Sequence, residues 1–519
     1  MTDGATIAAF VAVLGGTSLV AVTSRRLRPR GELPTLENWA LADRQFGAVL
    51  TWFLLGGTIY TAYTFAAVPG LVYGVGALGF FALPYTIIVY PLAFLLLPRL
   101  WSVARRHGYL TVGDFVRGRY GSPLLALAVA VTGILATMPY IALQLVGIRA
   151  VLAAGGLYPP GLAGDAALVA VFGILAIATY RHGLRAPTVI ALVKGAAIFG
   201  SVIAVVLLVV ARLGGPGALF DPAQRRPVGG PAPPDIPLTL EPRLFPVFAT
   251  LALGSAMALL MYPHVLTGAF AASRPDALRR AIIGLPAWSA VLGLFGLLGI
   301  AALAAGVQAP PGNAEAAVPL LVQALMPAAL TGLVLGALTV GALVPASVMS
   351  IAAATSFVRN IYVEYFHPTA TPKHQMRIAQ TVSVSAKLGA LVFVFGLRNQ
   401  AAINLQLLGG VWILQTFPAV AIGLYSRCLH PRALLAGWAF GMVTGTLMVV
   451  WDGFSPVVPV DLAGQHMQVY AALVALVLNL AVTVALTPVL HRVTAPRRPD
   501  RLMLSVPGDS SPPPGTSPT

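Results

Sequence analysis

The sequence predicts an all-α integral membrane protein with about thirteen transmembrane helices, ten of which form two five-helix repeats of opposite orientation. Three observations lead to this class. Hydrophobic residues make up 58% of the 519 residues and charged residues only 9%, whereas a soluble protein carries about 25% charged residues. Apolar segments of about 20 residues, the length that crosses a bilayer, recur along the chain. Basic residues fall in alternate loops between those segments.

The predicted spans are apolar segments separated by turn-forming or charged residues. They cover residues 6–22, 48–72, 76–98, 123–154, 162–180, 185–212, 244–270, 281–306, 328–358, 374–396, 401–425, 433–453 and 467–490. The first span has no basic residue before it and several arginines after it, which is the reverse of a secretory signal peptide. We therefore predict a retained helix.

The positions of Lys and Arg predict the orientation. With the N-terminus outside and the C-terminus cytoplasmic, 24 of the 32 basic residues lie in cytoplasmic loops. These loops are Arg25 to Arg44, Arg99 to Arg119, Arg181 with Arg185, Arg274 to Arg280, Arg359 to Arg377, Arg427 with Arg432, and Arg492 to Arg501. The net charge of +16 is thus explained by positive-inside anchoring in the cell membrane, and not by nucleic-acid binding.

This pattern divides the chain into six parts. Residues 1–47 form an extra N-terminal helix and a cytoplasmic loop, and 48–212 form the first repeat. A Pro/Gly-rich extracellular loop at 213–243 precedes the second repeat at 244–425. Two C-terminal helices at 426–490 and a disordered cytoplasmic tail at 491–519 complete the chain. In the cytoplasmic loop after the third span, Thr111 and Asp114 are spaced as a helix N-cap pair.

The segment 51–76 is predicted to be a broken membrane helix. Gly56 and Gly57 weaken a helix, Pro69 interrupts it further on, and the hydroxyls of Thr58, Tyr60, Thr61 and Thr64 lie between. Backbone freed at membrane depth is tolerated only against protein or a water-filled cavity. The alternative interpretation is a Gly/Thr-rich face for helix packing.

Segment 244–270 is the corresponding interrupted helix of the second repeat. It carries Ser255 in its middle and Tyr262, Pro263 and His264 near its far end. Because each repeat has five spans, the second enters the membrane from the opposite face. Interrupted helices at matching places in two inverted repeats indicate a binding site between them. Gly56, Pro69, Pro263 and His264 are the candidate gating positions, with His264 interpreted as a hinge or structural hydrogen bond and a proton relay as the alternative.

Several motifs resemble those of the sodium:solute symporter family over about residues 36–450. They are LADRQFG (41–47), GYLTVGDFVRGRYGS (108–122), Gln144 in the third core helix, YPHVLTGAFAASRPDALRRA (262–281), TSFVRNIY (355–362) and TFPAVAIGLY (416–425). The resemblance implies a leucine-transporter-type fold and secondary active transport. Residues 56–91, 136–147 and 405–416 are similar to the monocarboxylate permease branch. That likeness implies import of lactate, pyruvate, acetate or propionate by alternating access.

A small carboxylate also suits the predicted site. Half-helix N-termini offer free amides and the positive end of a dipole. The substrate-binding candidates are residues of the two broken helices and of the third and tenth core helices: Gly57, Thr58, Tyr60, Thr61, Thr64, Tyr140, Gln144, Ser255, Tyr262, Trp412 and Gln415. For each of them, ordinary packing is the alternative role. No cluster of Asn, Glu and Lys suited to a sugar is present.

Lys194 is the candidate coupling residue. A charged residue within a span costs about 2.5–3.5 kcal/mol on insertion scales and should face the bundle interior, although a lysine nine residues past Arg185 could also snorkel to the interface. The resemblance implies that sodium-coupled members carry an Asp where this chain has Ala191, and hydroxyls where it has Val344 and Pro345. Ser347 and Ser350 are nearby candidate ligands.

These substitutions lead to the hypothesis that H⁺, bound by Lys194, replaces Na⁺ as the coupling cation. Lys387 is a second lysine within a span, with a structural contact as likely as a function, and Arg149 is predicted to be interfacial or to attract an anion.

The sequence also bears on other functions. The main alternative is a sodium-coupled symporter for another small solute such as an amino acid. A membrane enzyme is disfavoured because no histidine–carboxylate metal motif, phosphate loop or nucleophile elbow occurs. A channel is disfavoured by the inverted repeats, and a sensory input domain by the lack of any further domain. We expect no cofactor or certain metal site, no nucleic-acid partner, and a functional monomer in the lipid bilayer.

Overall fold

The computed structural model describes residues 4–23, 35–159, 161–220, 236–396, 401–462 and 464–493. Within these ranges the protein is built almost entirely of helices, as predicted from composition. The N-terminal part contains α1 (Gly4–Thr23) and α2 (Leu36–Leu41), followed by a 3-10 turn at Ala42–Arg44.

The first repeat comprises the helices between residues 48 and 213. They are α3 (Ala48–Ile59), α4 (Val68–Val75), α5 (Ala82–His107), α6 (Val112–Tyr120), α7 (Pro123–Ala154), α8 (Leu162–His182) and α9 (Arg185–Leu213). A π-helical turn at Tyr63–Ala67 joins α3 to α4, and a 3-10 segment at Gly76–Phe81 joins α4 to α5. The short α10 (Gly217–Phe220) follows.

The second repeat begins with a 3-10 turn at Pro242–Leu244. Its helices are α11 (Phe245–Leu259), α12 (Pro263–Phe270), α13 (Pro275–Gly284), α14 (Pro286–Ala304), α15 (Ala317–Leu325), α16 (Ala328–Phe357), α17 (Pro372–Gly396), α18 (Ala402–Ile413) and α19 (Gly423–Tyr425). Irregular helical turns lie at Ala314–Ala316, Val358–Phe366, Leu414–Thr416 and Pro418–Ile422. The C-terminal part holds α20 (Pro431–Trp451), β1 (Val457–Leu462), β2 (Gln465–Tyr470) and α21 (Ala471–Val493).

The predicted membrane spans are confirmed. Ten helical segments among the described residues are long and apolar enough to cross a bilayer. Shorter apolar helices at Gly4–Val20, Ala48–Ile59 and Leu162–Gly173 stand at three further predicted spans. The most apolar part of α16 is completely buried, and α16 packs against α7, α9 and α17. It therefore forms the centre of the bundle rather than a lipid-facing helix.

The two broken helices are present. The first break lies elsewhere than the residue pattern suggested, and the second lies next to Pro263 and not at Ser255. In the first repeat, α3 runs through Gly56 and Gly57 and ends at Ile59. The chain stays helical through Pro69, which lies in the first turn of α4, where a missing N–H costs little. In the second repeat, α11 runs through Ser255, and the break comes at residues 260–262, immediately before Pro263. Proline position therefore marks the second break and not the first.

The C-terminal part contains a β-hairpin that hydropathy alone assigned in part to a helix. Strands β1 and β2 pair antiparallel, with Val457 opposite Tyr470. Residues 467–470 thus belong to a strand, and α21 begins only at Ala471. The hairpin delivers Tyr470 into the interior, where its hydroxyl donates to the Leu407 carbonyl at 2.6 Å.

The connection between α5 and α7, which is predicted to be cytoplasmic, forms the helix cap that its sequence predicts. Thr111 and Asp114 form a capping box at the start of α6. The Asp114 carboxylate also accepts a 3.0 Å hydrogen bond from Asn360, and the Thr111 hydroxyl donates to the Asn360 side-chain oxygen at 2.8 Å. These bonds tie α6 to the helical turn at Val358–Phe366 that follows α16.

Parts of the predicted loop and tail lie outside the described residues, namely 221–235 and 494–519. Pro237 of the loop that is predicted to be extracellular is among the described residues, and its carbonyl accepts a hydrogen bond from the Ala77 amide. The loop therefore contacts the turn between α4 and α5.

Candidate functional site

The site begins where α3 ends. The amide of Tyr60 still donates to the Gly56 carbonyl at 2.9 Å, as in a regular helix. Tyr60 itself is extended (φ −93°, ψ 99°), and the next turn starts with Thr64 donating to Thr61. The carbonyls of Gly57 and Tyr60 therefore become available to a side chain at the break.

Lys194, on α9, binds both of these carbonyls. Its ammonium donates to Gly57 O at 2.7 Å and to Tyr60 O at 2.9 Å. The side chain is fully buried, with 0% of its surface exposed. This geometry excludes the alternative in which Lys194 snorkels to the cytoplasmic interface. A lysine side chain thus lies at the break of the first repeat.

The helices around Lys194 carry no carboxylate. The sequence has 16 Asp and Glu residues, but α3, α5, α7, α9, α11, α12, α14, α16, α17 and α18 contain none of them. A buried charge is stable only when it is paired or hydrogen-bonded. Within these helices, only backbone and side-chain dipoles can therefore stabilise a charge on Lys194.

Gln144, on α7, binds the break from another side. Its side-chain oxygen accepts a 3.0 Å hydrogen bond from the Ala62 amide, and its side-chain nitrogen donates to the Tyr140 carbonyl at 3.1 Å. Tyr140 also faces the Thr61 hydroxyl. The break is therefore held between α9 and α7, and its freed backbone groups are satisfied by buried side chains, as membrane depth requires.

The break between α11 and α12 places Tyr262 in the interior. Its carbonyl accepts the amides of Val265 and Leu266 at the start of α12. Its hydroxyl donates to the Gln406 carbonyl on α18 at 3.3 Å. The Tyr262 ring lies 5.1 Å from the Tyr140 ring, so the second break contacts the same helix, α7, that binds the first.

We refer to Tyr63, Tyr85, Tyr140 and Tyr262 as the tyrosine cluster. The rings of Tyr63 and Tyr85 lie 6.0 Å apart, edge to face. The turn that carries Tyr63 packs against α7, which carries Tyr140, so the two ring pairs are neighbours. All four side chains are at most 3% exposed. The cluster brings the π-helical turn before α4, α5, α7 and the second break together through phenol groups, which combine apolar faces with hydrogen-bonding hydroxyls.

Buried polar atoms without a hydrogen-bond partner among the described residues occur on the elements around this cluster. They include the Tyr63 hydroxyl, the hydroxyls of Thr64 and Ser255, both ring nitrogens of His264, and both side-chain amide atoms of Gln406. Leaving such a group unpaired costs roughly 1–3 kcal/mol. Because native interiors seldom leave several groups unpaired in one region, this arrangement is typical of a polar ligand site.

Comparison with known proteins identifies the family. Residues 39–443 match the sequence profile of the sodium:solute symporter family. The chain belongs to this family. It is 45% identical over 493 residues, or 94% of its length, to a monocarboxylate transport permease protein of Rhizobium johnstonii, of which the match covers 97%. The family assignment makes the protein a multi-pass membrane cation:solute symporter.

More distant relatives agree with the family assignment. The symporter is 32% identical over 438 residues to the uncharacterized symporter YodF of Bacillus subtilis, covering 82% of this chain and 86% of that one. It is 24% identical over 491 residues to the sodium/pantothenate symporter of Escherichia coli, covering 87% and 92%. A Na⁺-coupled sialic acid symporter solved in a substrate-bound outward-open state shares the fold, with a TM-score of 0.73, 15% identity, and coverage of 96% and 99%. The leucine-transporter-type fold is thereby confirmed.

The coupling-ion candidates of the symporter do not all face Lys194. A Cβ built on Gly57 would lie 3.2 Å from Ala191 Cβ and 3.8 Å from a Val344 methyl, so apolar groups surround Gly57 where the resemblance implies oxygens. The Ser347 hydroxyl donates to Leu343 within α16. The Ser350 hydroxyl donates to the Ser347 carbonyl and accepts from Ser383.

Other predicted residues lie at the first break with different partners. Thr58 donates to the Leu55 carbonyl within α3, and Thr61 accepts from the Tyr63 amide. The Tyr60 hydroxyl contacts Tyr90 at 2.6 Å and Ser289 at 2.8 Å. Tyr60 therefore contributes its carbonyl to the Lys194 site, while its phenol ties α3 to α5 and α14.

Two predicted substrate residues lie on another face of α18 and the turn that follows it. Trp412 donates to Thr446 on α20 at 3.1 Å. Gln415 accepts from Asn479 on α21 at 3.2 Å and donates to the Val411 carbonyl. The structure thus directs both side chains to the C-terminal helices and does not bring them together with Tyr262.

The structure adds residues that sequence reasoning missed, namely Gln406, Tyr63, Tyr85 and Tyr470. Gln406 lies in a segment similar to the monocarboxylate branch, so its polar side chain in an apolar span was a usable signal. Tyr470 lies outside both repeats, and nothing in its surroundings in the sequence connects it to the site. Within the described ranges, no group of three or more His, Cys, Asp or Glu is arranged to hold a metal ion.

Proposed function

We propose that this symporter imports small monocarboxylates, such as lactate, pyruvate, acetate or propionate, together with a proton that Lys194 binds and releases. The observation that carries the proposal is the position of the Lys194 ammonium between the carbonyls of Gly57 and Tyr60. A bound cation would need such backbone oxygens, and here an amine occupies them. Desolvation disfavours a charged side chain, so a buried amine can release a proton that a surface lysine keeps.

The lack of carboxylates supports an anionic substrate. Protonated Lys194 adds a positive charge to helices that contain no Asp or Glu. A substrate carboxylate at the neighbouring tyrosine cluster supplies the opposite charge and makes the loaded site neutral. Deprotonation of Lys194 removes that attraction, which links substrate release to proton release. The unpaired donors Tyr63, Ser255 and Gln406 offer the hydrogen bonds that a carboxylate accepts.

Alternating access follows from the two breaks. Each broken helix has a half that can tilt about its extended residues while the other half stays packed, which is the usual arrangement for substrate sites in inverted-repeat transporters. The distribution of basic residues supports an extracellular N-terminus and a cytoplasmic C-terminus. A single chain contains both repeats, so one protomer suffices for the cycle.

Uptake into proteoliposomes tests the coupling ion. We expect an inward pH gradient without sodium to drive accumulation of radiolabelled lactate, and a sodium gradient at equal pH to drive none. Lys194→Gln should reduce accumulation by at least about tenfold, since the charge-assisted contacts are lost. Lys387→Gln, at the other buried lysine, is the matched control and should keep proton-driven accumulation.

Two outcomes would contradict parts of the proposal. Uptake that requires sodium and is indifferent to Lys194→Ala refutes proton coupling and favours the sodium-coupled alternative, for which Ser347 and Ser350 remain candidate ligands. Competition by amino acids, but not by acetate, propionate or pyruvate, refutes the monocarboxylate substrate.

A further inference from the structure

His264 is a buried histidine that the coupling mechanism leaves unused. It is the second residue of α12, directly after the helix-breaking Pro263. Its side chain is 0% exposed, and neither ring nitrogen has a hydrogen-bond partner among the residues that the structure describes. The expected structural hydrogen bond is therefore not formed.

The ring lies directly against the tyrosine cluster. Its centroid is 5.3 Å from that of Tyr140 and 5.4 Å from that of Tyr262. Pro263 packs against α7, where a Cβ built on Gly133 would lie 2.8 Å from its ring. The imidazole is thus held between α7 and the second break, and it adjoins residues of the proposed substrate site.

The surroundings of His264 suit an anion. The residue stands in the first turn of an eight-residue helix, where the positive end of the helix dipole favours negative charge. A neutral imidazole has one N–H donor and a protonated one has two. A carboxylate accepts such bonds, and none of the helices around the cluster offers a competing Asp or Glu.

The direction of α12 sets the position of His264 relative to Tyr262. Helix α12 leads from the break towards the basic residues Arg274, Arg279 and Arg280 in and directly before α13, which the charge distribution assigns to the cytoplasmic side. His264 therefore lies on the cytoplasmic side of Tyr262.

We propose that His264 and the first turn of α12 form a carboxylate-binding subsite on the cytoplasmic side of the tyrosine cluster, which receives the substrate before its release. This inference rests on the proposed function, because it takes the transported anion to be a monocarboxylate. In the subsite, an imidazole N–H donates to a carboxylate oxygen, while the apolar part of the substrate contacts the rings of Tyr140 and Tyr262. No covalent step is involved.

Kinetics measured from each face test the subsite. Cys428 is the only cysteine of the chain and is exposed, so an impermeant maleimide reports the orientation of the protein in proteoliposomes. In uniformly oriented proteoliposomes, we expect His264→Leu to raise the KM for lactate at the face bearing Cys428 by about tenfold or more, because a donor to a charged group is lost. The KM at the opposite face should change less than about twofold.

Two further variants complete the design. His264→Gln keeps a side-chain donor and should restore the KM to within about threefold of the wild type. Thr267→Val, on the same short helix, is the matched control and should leave both KM values unchanged. A wild-type KM at the face opposite to Cys428 would show that the His264→Leu variant folds. Equal KM changes at both faces, or no change at either, would overturn the subsite.

A second test measures ligand binding on the wild-type protein. In protein labelled with ¹⁵N-histidine, saturating acetate should shift the ring resonances of His264, which are assigned by their absence from the spectrum of His264→Gln. No shift in a protein that transports lactate would refute the subsite alone. If the wild-type protein transports no monocarboxylate, the proposed function itself fails, so the two failures are distinguishable.

Discussion

The side-chain amide of Gln144 joins the break in the first repeat to helix α7, since its oxygen accepts from Ala62 N at 3.0 Å. Its nitrogen is bound in turn to the Tyr140 carbonyl at 3.1 Å. A single glutamine therefore satisfies a freed backbone amide and fixes the position of Tyr140 relative to the break. The geometry of the break depends on a side chain more than 80 residues away in sequence.

Replacing Gln144 should loosen this connection. We expect Gln144→Leu to leave the Ala62 amide unpaired, lower the free energy of unfolding by roughly 1–3 kcal/mol, and raise the KM for lactate. Thermal unfolding in detergent and uptake kinetics measure the two effects. Gln415→Leu is the comparison, because it also removes a buried amide but one that faces α21. Gln415→Leu should lower the stability and leave the KM for lactate unchanged. A raised KM would indicate that Gln415 contributes to the substrate site after all.

The contact between Gly56 and Trp288 leaves no room for a side chain. A Cβ on Gly56 would lie 2.1 Å from the Trp288 indole nitrogen, so Gly56→Ala must displace the ring or the helix. We expect a loss of roughly 1–3 kcal/mol in stability, as for other overpacked interiors, with slower uptake. Gly74→Ala is the matched control in α4, since nothing lies within 4 Å of its Cβ position. It should be neutral or stabilising, and equal effects of both substitutions would contradict the packing explanation.

The capping box of α6 predicts an effect on the stability of the protein. Thr111→Ala removes the cap of the helix and the hydrogen bond to Asn360. We expect the free energy of unfolding to fall by about 0.5–2 kcal/mol, the usual effect of losing an N-cap, with an unchanged KM for lactate. Thr369→Ala, at an exposed position, should have no measurable effect. Unfolding followed by intrinsic tryptophan fluorescence compares them.

Glu315 predicts a pH-dependent contribution to stability at the connection between α14 and α16. Its carboxylate accepts a hydrogen bond from the Ala402 amide at the start of α18. Burial raises its pKa above the ordinary value of about 4.5, partly opposed by that backbone bond and by Arg149. The folded protein then holds this proton more tightly than the unfolded chain, so the stabilising effect is present below pH 4.5 and is lost as the pH rises through the raised pKa.

The comparison with Glu315→Gln isolates this effect, because glutamine cannot titrate. The Tm of the wild type minus the Tm of the variant should therefore fall as the pH rises from 4.5 through the raised pKa of Glu315. A difference in Tm that stays constant with pH would show that Glu315 has the same pKa in the folded and unfolded protein. Arg149→Gln should raise the Glu315 pKa further, because it removes a favourable charge.

Much of the fold could be predicted because the relevant signals are local. Apolar length predicts each span, the Thr111 and Asp114 spacing predicts a cap, and Pro263 predicts the second break, since each rule involves residues that are neighbours in sequence. Lys194 was identifiable for the same reason, because a charge inside an apolar span must face a buried partner.

Packing between segments that are distant in sequence decided the position of the first helix break. The first break lies at Tyr60 and not at Gly56 or Pro69, because Lys194 and Gln144 bind its backbone from two other helices. Local composition permitted a break at any of these positions. Only the partners of the freed backbone groups select one of them.

The sequence determined the membrane class, the spans, the inverted repeats and the presence of a lysine within a span, because hydropathy and proline position act within a few residues. Only the tertiary structure decided which polar side chains share one interior. Trp412 and Gln415 face the C-terminal helices, whereas Gln406 and His264 lie at the tyrosine cluster. In an apolar span any face of a helix can be buried, so the direction of a polar side chain is set by the helices that pack against it.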